Sequence, residues 1–203
     1  DYIPNPTFDR VANPGAQEEY FKVGNPEGKT YREIIGRGID CPPAFREASA
    51  RLTLLDEQGL DFAIMLPTLA SLVEERMRDD PDLCAAAIHA LNTWMLEAWP
   101  YTYKDRVFST PIITPGVLDK AMDELDFLID HGAKVILMRP APAWGYQGPR
   151  SFALKEVDPY WTKVEEAGLL VCGLAADIGE VRYTNEWEGS GTETQAFAER
   201  RMC

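Results

Sequence analysis

The chain is poor in histidine: of its 203 residues, only His89 and His131 are histidines. Both fall in segments with helical spacing, and His131 directly precedes Gly132. We therefore expect structural roles for both, with His131 complementing a helix dipole and His89 lying at the edge of a packed helix face. Because neither histidine follows an apolar run, these residues alone form neither a Ser-His-Asp triad nor a His-rich zinc site.

Other absences narrow the class of protein further. The chain has 20 basic and 33 acidic residues, and the resulting net charge of -13 argues against binding nucleic acid. The apolar runs are too short to cross a membrane, and no signal peptide is evident. The GRG at 36–38 does not match the spacing of a phosphate-binding loop. The cysteines form no C-x-x-C pair, so we interpret them as free thiols of a protein in the reducing cytosol. The expected location is therefore cytoplasmic. The cysteines are Cys41, Cys84, Cys172 and Cys203.

A repeated unit is the strongest positive signal. Gly59, Gly132 and Gly168 each follow a segment of helical periodicity and precede a short apolar run: LDFAIMLPT, AKVILMRPA and LLVCGLAAD. Continuous apolar runs of this length are typical of parallel strands buried on both faces. Glycine before each run fits a helix C-terminus that needs a left-handed backbone. The repeat therefore predicts an α/β protein with a parallel sheet.

Four strands and five helices are predicted. The strands cover 62–66, 107–114, 134–138 and 169–174, and the helices 44–58, 71–78, 81–99, 117–131 and 159–167. Asp80 and Asp158, each before a proline, are expected to cap helices. In helix 81–99 the predicted apolar stripe is Leu83, Ala87, Leu91, Trp94 and Ala98, and helix 44–58 is expected to bury Phe45, Ala48, Leu52 and Leu55.

This pattern leaves two architectures open, an open doubly wound sheet or part of an eight-stranded barrel. Residues 44–177 hold the predicted strands and helices. Residues 1–43 form an irregular segment rich in proline and glycine that we expect to pack on the core, and 178–203 form a polar tail of unassigned structure.

In both architectures, ligands bind at the carboxyl ends of the strands. Thr68, Arg139 and Asp177 follow three of these ends, and Trp144 lies in the next loop, WGYQG. Arg139 could bind a substrate carboxylate or form a structural ion pair. Asp177 is the candidate base, Thr68 and Trp144 are candidate substrate contacts, and Tyr146 could join Trp144 as a lid.

The chain also contains pairs of adjacent acidic residues, which we do not expect to be catalytic. Glu74 and Glu75, like the other adjacent carboxylates, lie in polar or helix-surface stretches. We therefore expect them on a solvated face rather than in acid/base catalysis. The other pairs are Glu18/Glu19, Asp79/Asp80 and Glu165/Glu166.

Six segments within residues 1–187 follow one known pattern: DYIPNPTFDRVANPGAQEEYF, LLDEQGLDFAIMLPTLASLVEERMRDDP, NTWMLEAW, KDRVF, HGAKVILMRPAP and DPYWTKVEEAGLLV. Through these segments the chain resembles the amidohydrolase-related family of metal-dependent hydrolases and decarboxylases. The resemblance implies a parallel (β/α) barrel of the TIM type, with the second to fifth strands recognisable and the barrel incomplete in this chain. It also implies a divalent metal, with Zn expected, and a small carboxylate-bearing substrate.

The same resemblance shows where the ligand set departs from the family. The fifth strand resembles the pattern V-x-x-H-A-S-D at Val171–Asp177, with Leu174 in place of the metal-binding histidine. The family's other ligands would lie before Asp1 and beyond Cys203. Two hypotheses follow: a metal-dependent hydrolase or non-oxidative decarboxylase, or an inactive relative acting as a binding module. A homo-oligomer is expected because an open half-barrel exposes apolar strand edges.

Overall fold

The computed structural model describes residues 10–11, 28, 33, 39–67 and 73–173. Its helices are α1 (Ala48–Gln58), α2 (Val73–Arg76), α3 (Pro81–Ala98), α4 (Leu118–Asp130) and α5 (Asp158–Glu166). Its strands are β1 (Arg10–Val11), β2 (Ile39–Asp40), β3 (Ala63–Met65), β4 (Thr102–Tyr103), β5 (Val107–Ser109), β6 (Val135–Met138), β7 (Ala143–Gly145), β8 (Gly148–Arg150) and β9 (Leu170–Gly173). Short 3₁₀ helices cover Pro43–Phe45 and Lys155–Val157.

The predicted strands form a parallel array in the order β3–β5–β6–β9. β3 pairs in parallel with β5, and β6 pairs in parallel with β9. A parallel bridge between Ile112 and Leu137 joins the two pairs just beyond β5. There the Leu137 N–H donates to Pro111 O at 2.8 Å and the Ile113 N–H donates to Leu137 O at 3.0 Å. The α/β prediction is confirmed, although the strands described do not close into a barrel.

Strand register sorts the side chains of this array onto two faces. One face packs against α1, α4 and α5, and it includes Met65, Ile113, Ile136, Met138 and Val171. By strand alternation, the opposite face, called the inner face below, carries Phe62, Ile64, Leu66, Phe108, Leu137, Leu170 and Cys172. Helices therefore cover the first face, and α3 also packs on the middle of the inner face, where Leu137 is buried with Cys84 and Ile88.

Helix ends follow the sequence signals in most places. Gly59, Gly132 and Gly168 have φ of +67°, +79° and +63°, so the left-handed conformation predicted for all three is confirmed. Asp80 accepts the Leu83 N–H at 3.0 Å, which confirms the predicted cap of α3. Asp158 is instead the first residue of α5 and makes no side-chain cap, so that prediction is wrong.

The buried face of α3 lies one position beyond the predicted stripe. Cys84, Ile88, Asn92 and Met95 are buried, whereas Leu83 is 52% exposed. A polar residue, Asn92, lies at the centre of the buried face, which is why apolar periodicity selected the neighbouring stripe. In the first helix, α1 begins at Ala48, and Phe45 lies in the preceding 3₁₀ helix with 40% exposure rather than being buried.

Two antiparallel hairpins were not predicted. β4 pairs with β5 through a turn in which Lys104 and Asp105 adopt φ of +52° and +51°. β7 pairs with β8, so Trp144 lies in a strand rather than in a loop. Among the residues described, no helix is long and apolar enough to span a membrane.

Candidate functional site

The carboxyl end of β6 places two of the predicted site residues close together. Arg139 directly follows β6, and Trp144 lies in β7, five residues further on. Thr68 and Asp177 lie outside the described residues, as does Leu174. The predicted assembly of Thr68, Arg139 and Asp177 at one rim therefore stays a prediction.

Arg139 is buried, with 7% of the residue exposed. Its Nη1 donates to Glu75 Oε2 at 2.7 Å, and its Nη2 donates to Pro142 O at 3.1 Å. The side chain is thus held by an ion pair to α2 and by the turn that follows its own strand. Of the two interpretations of Arg139, the structure contains the ion pair, with Glu75 as the carboxylate.

Glu75 connects this end of the sheet to its surroundings. Oε2 also accepts the Trp144 indole N–H at 3.2 Å, while Oε1 accepts Arg78 Nη1 at 2.9 Å. The Arg78 guanidinium lies 5.6 Å from the centre of the Trp144 ring, within cation–π range. We call Glu75, Arg78, Arg139 and Trp144 the rim cluster.

Electrostatics favour the ionised form of Glu75. Burial alone would raise its carboxyl pKa, but the hydrogen bond and charge of Arg139, with further bonds from Arg78 and Trp144, hold that pKa below its ordinary value. The solvated surface predicted for Glu74 and Glu75 is wrong, because Glu74 is 5% exposed and the Glu75 side chain 13%. The partner Arg139 lies 64 residues away, so local sequence carries no signal that Glu75 and Arg139 pair.

A second polar group lies beside the rim cluster, at the first turns of α3 and α4. Asp82 accepts the Tyr146 hydroxyl at 2.6 Å and forms an ion pair with Lys120. An open cleft lies next to this group. Its lining includes Cys84, Ile88, Val117, Lys120 and Trp144. Burial raises the pKa of the Cys84 thiol to about 12, so this cysteine is protonated at neutral pH.

Both histidines lie away from the rim. His89 Nδ1 is 2.7 Å from Glu124 Oε2 on α4, and its side chain is 53% exposed. His131 follows α4 directly, with Nδ1 2.7 Å from Phe127 O, as expected for a histidine at a helix end. Neither imidazole contacts the rim cluster.

The metal that the family resemblance implies would need a group of His, Cys, Asp or Glu side chains close together. Within the described ranges, no three His, Cys, Asp or Glu side chains are grouped so that they could hold a metal ion. Glu75, which binds Arg139 at the end of β6, is already bonded to two guanidinium groups and an indole. The described part of the chain does not fit a metal centre, so ligands for one would have to come from other residues.

Comparison with solved structures agrees with this architecture. An amidohydrolase from Mycobacterium avium subsp. paratuberculosis K-10 is 34% identical, with a TM-score of 0.77, and the match covers 93% of this chain and 50% of that chain. A 2,6-dihydroxybenzoate decarboxylase, solved with 2,6-dihydroxybenzoate, is 18% identical with a TM-score of 0.55, and the match covers 90% and 52%. These neighbours fit the amidohydrolase-related superfamily.

The likeness to these structures implies a TIM-barrel fold, and it covers only part of their length. The chain spans about half the length of the solved structures it resembles. No protein-family model and no curated protein sequence matches it. The order β3–β5–β6–β9 agrees with the order expected for four consecutive strands of such a barrel.

Proposed function

We propose that the chain is part of an amidohydrolase-type enzyme that hydrolyses or non-oxidatively decarboxylates a small carboxylate-bearing substrate. The observation that carries the proposal is the 34% identity to a solved amidohydrolase across 93% of this chain. The rim cluster supports it, because it gathers a guanidinium pair and an indole at the strand ends where (β/α) proteins bind their ligands.

Arg139 would bind the substrate carboxylate, with Trp144 as an aromatic wall. The geometry that supports this role is the contact with Glu75, since the guanidinium already binds a carboxylate oxygen at 2.7 Å. A substrate carboxylate would replace Glu75 on Arg139, while Glu75 keeps its second oxygen on Arg78. Thr68 and Asp177 would complete the site, with Asp177 as the base.

A divalent metal, Zn in the first instance, belongs to this proposal through the family resemblance. When bound, such an ion would polarise the substrate and activate a water. Leu174 offers no donor atom in the position where the family pattern has histidine. Metal content is therefore the first measurement: a folded sample with one bound metal per chain supports the enzyme, and a folded sample without metal favours the inactive binding module.

Activity provides the second measurement. 2,6-Dihydroxybenzoate is a suitable probe for the decarboxylase arm, because a protein of this fold is a decarboxylase of that compound. Small carboxylate-bearing amides and esters test the hydrolase arm. Arg139→Gln should raise KM about 10-fold or more, since hydrogen bonds to charged groups contribute about 1.5–3 kcal/mol. Arg150→Gln is the matched control, because Arg150 pairs only with the exposed Glu156 in the described structure.

The two arms separate the possible outcomes. Release of CO₂ identifies a decarboxylase, and cleavage of the amide or ester identifies a hydrolase. Equal KM values for Arg139→Gln and Arg150→Gln would remove Arg139 from the substrate site. Absence of both turnover and metal in a well-folded sample would refute the enzymatic function.

A further inference from the structure

The rim cluster already holds a carboxylate in the position that Arg139 offers to a ligand. Glu75 Oε2 lies 2.7 Å from Arg139 Nη1 and 3.2 Å from Trp144 Nε1, so N–H donors from two segments of the chain converge on one oxygen atom. Hydrogen bonds between a guanidinium and a carboxylate are stronger than those between neutral groups. The oxygen that these donors bind belongs to the protein itself, so a ligand carboxylate has to take its place.

Burial makes this contact depend on charge. The Arg139 side chain is 4% exposed and the Glu75 side chain 13%, so neither charged group is fully hydrated. Taking one partner away from a buried ion pair is strongly unfavourable, because the other charge loses its compensation. A group that displaces Glu75 from Arg139 must therefore bring a negative charge of its own. A carboxylate meets this condition, and a neutral amide of the same shape does not.

Arg78 gives Glu75 a second group to bind. Glu75 Oε1 accepts Arg78 Nη1 at 2.9 Å, and the Arg78 side chain is 39% exposed, far more than that of Arg139. A Glu75 carboxylate that leaves Arg139 can thus stay ionised and paired with Arg78. Burial alone would raise the carboxyl pKa of Glu75, but the bond and charge of Arg139 outweigh burial and lower that pKa. At neutral pH, Glu75 therefore has the same charge as the ligand that would displace it.

We propose that Glu75 is a built-in competitor for the substrate carboxylate, and that it sets both the affinity and the charge selectivity of the site. This inference rests on the proposed function, in which Arg139 binds that carboxylate. Binding is then an exchange of one carboxylate for another on Arg139, and its free energy is the difference between two similar contacts. A ligand matches what Glu75 already provides when one of its oxygens accepts from both Arg139 and Trp144.

The direction of the effect separates a competitor from a residue that only positions Arg139. Changing a positioning residue weakens ligand binding, whereas changing a competitor strengthens it. Glu75→Gln keeps the size of the side chain and removes its charge, so the amide holds Arg139 less strongly than the carboxylate does. The dissociation constant of a carboxylate ligand should therefore fall about 10-fold or more in this variant.

Calorimetric titration with benzoate tests the proposal on the full chain. We expect Glu75→Gln to bind benzoate about 10-fold or more tightly than the wild type, and to show no such gain for benzamide, the neutral analogue. Adding Arg139→Gln to this variant should abolish the gain. Glu156→Gln is the matched control: Glu156 also binds an arginine through both oxygens, Arg150 at 2.5 and 2.8 Å, but its side chain is 52% exposed. The control should bind benzoate as the wild type does.

Three results would overturn the proposal. One is that folded Glu75→Gln binds benzoate no more tightly than the wild type, undetectable binding included. Another is an equal gain in Glu156→Gln, and a third is an equal gain for benzamide. Circular dichroism checks that each variant is folded. If Glu75→Gln fails to fold, Glu75→Ala replaces it, and added acetate should raise its thermal midpoint whereas acetamide should not; equal effects of the two would also overturn the proposal.

The titration needs no turnover, so it separates this inference from the proposed function. An inactive chain without metal, in which Glu75→Gln binds benzoate more tightly, refutes the enzyme and leaves Glu75 as a competitor at a carboxylate site. An active enzyme in which that gain is missing refutes the competitor alone.

Discussion

Asn92 is the side chain on which the packing of α3 against the sheet depends most directly. Its Nδ2 donates to Ile112 O at 2.7 Å, and its Oδ1 accepts the Ile112 N–H at 2.9 Å. The amide thus bonds both backbone groups of one residue, just past the last pairing of β5 with β3. Nδ2 also donates to Glu124 Oε1 at 2.7 Å, which links α3 to α4. We predict that Asn92→Ala is severely destabilising.

The magnitude follows from what the substitution leaves behind. Asn92 is fully buried, so its removal strands the Ile112 N–H, the Ile112 carbonyl and one oxygen of the buried Glu124. A buried polar group without its partner costs about 1–3 kcal/mol. Relaxation around a three-group network recovers part of the sum, so we expect a loss of about 3–5 kcal/mol. That is a large share of the roughly 5–15 kcal/mol by which a typical domain is stable.

Urea unfolding followed by tryptophan fluorescence measures this loss, since the chain contains five tryptophans. Thr93→Ala is the matched control, because Thr93 lies one position along the same helix and bonds only His89 O within that helix, at 2.9 Å. The control should change stability by less than about 1 kcal/mol. A double-mutant cycle with Glu124→Gln isolates the Asn92–Glu124 coupling. If Asn92→Ala lowers stability by no more than the control, the reasoning from stranded groups is refuted.

Two further predictions concern the segments around the rim cluster. Gly116→Ala should lower the free energy of unfolding by at least about 2 kcal/mol, because a Cβ there would lie 2.0 Å from Trp144 O. Gly173→Ala is the control: its Cβ would have its nearest contact at 3.6 Å, so this variant should unfold at nearly the wild-type urea midpoint. Glu75→Gln should flatten the dependence of the free energy of unfolding on pH below pH 4.5. Burial opposes ionisation of Glu75, but Arg139 outweighs burial and lowers the carboxyl pKa in the folded state. The stabilisation by Glu75 in the wild type is therefore present above that pH and is lost as pH falls. Equal urea midpoints for the two alanine variants, or parallel pH profiles for Glu75→Gln and wild type, would contradict these arguments.

Local sequence signals predicted the parts of the fold that depend on neighbours in the chain. The three glycines before the apolar runs all adopt left-handed backbone, and the runs after them form parallel strands. The Asp80–Pro81 signal also gave the start of α3 correctly. These features arise from backbone sterics and from periodicities of two and 3.6 residues, which are written in consecutive positions.

Long-range polar pairs could not be predicted in the same way. Glu75 and Arg139 are 64 residues apart, and His89 and Glu124 are 35 residues apart. In isolation, Glu75 and Glu124 resemble residues on a solvated helix face, and nothing next to Arg139 or His89 in the sequence identifies their partners. The shifted stripe of α3 has the same origin, since Asn92 is buried only because Ile112 and Glu124 satisfy its amide.

Polar networks and exposed apolar side chains occupy different parts of the array, and this separates two kinds of perturbation. The networks join the middle of the sheet to its helices: Asn92 binds the backbone next to β5, and Glu75 binds the arginine that follows β6. The exposed Phe62 and Leu170 lie at the outer strands instead. Substitutions in the middle should therefore lower the free energy of unfolding. Substitutions of the exposed side chains at the edges should leave it nearly unchanged, because half-exposed side chains contribute little to the core.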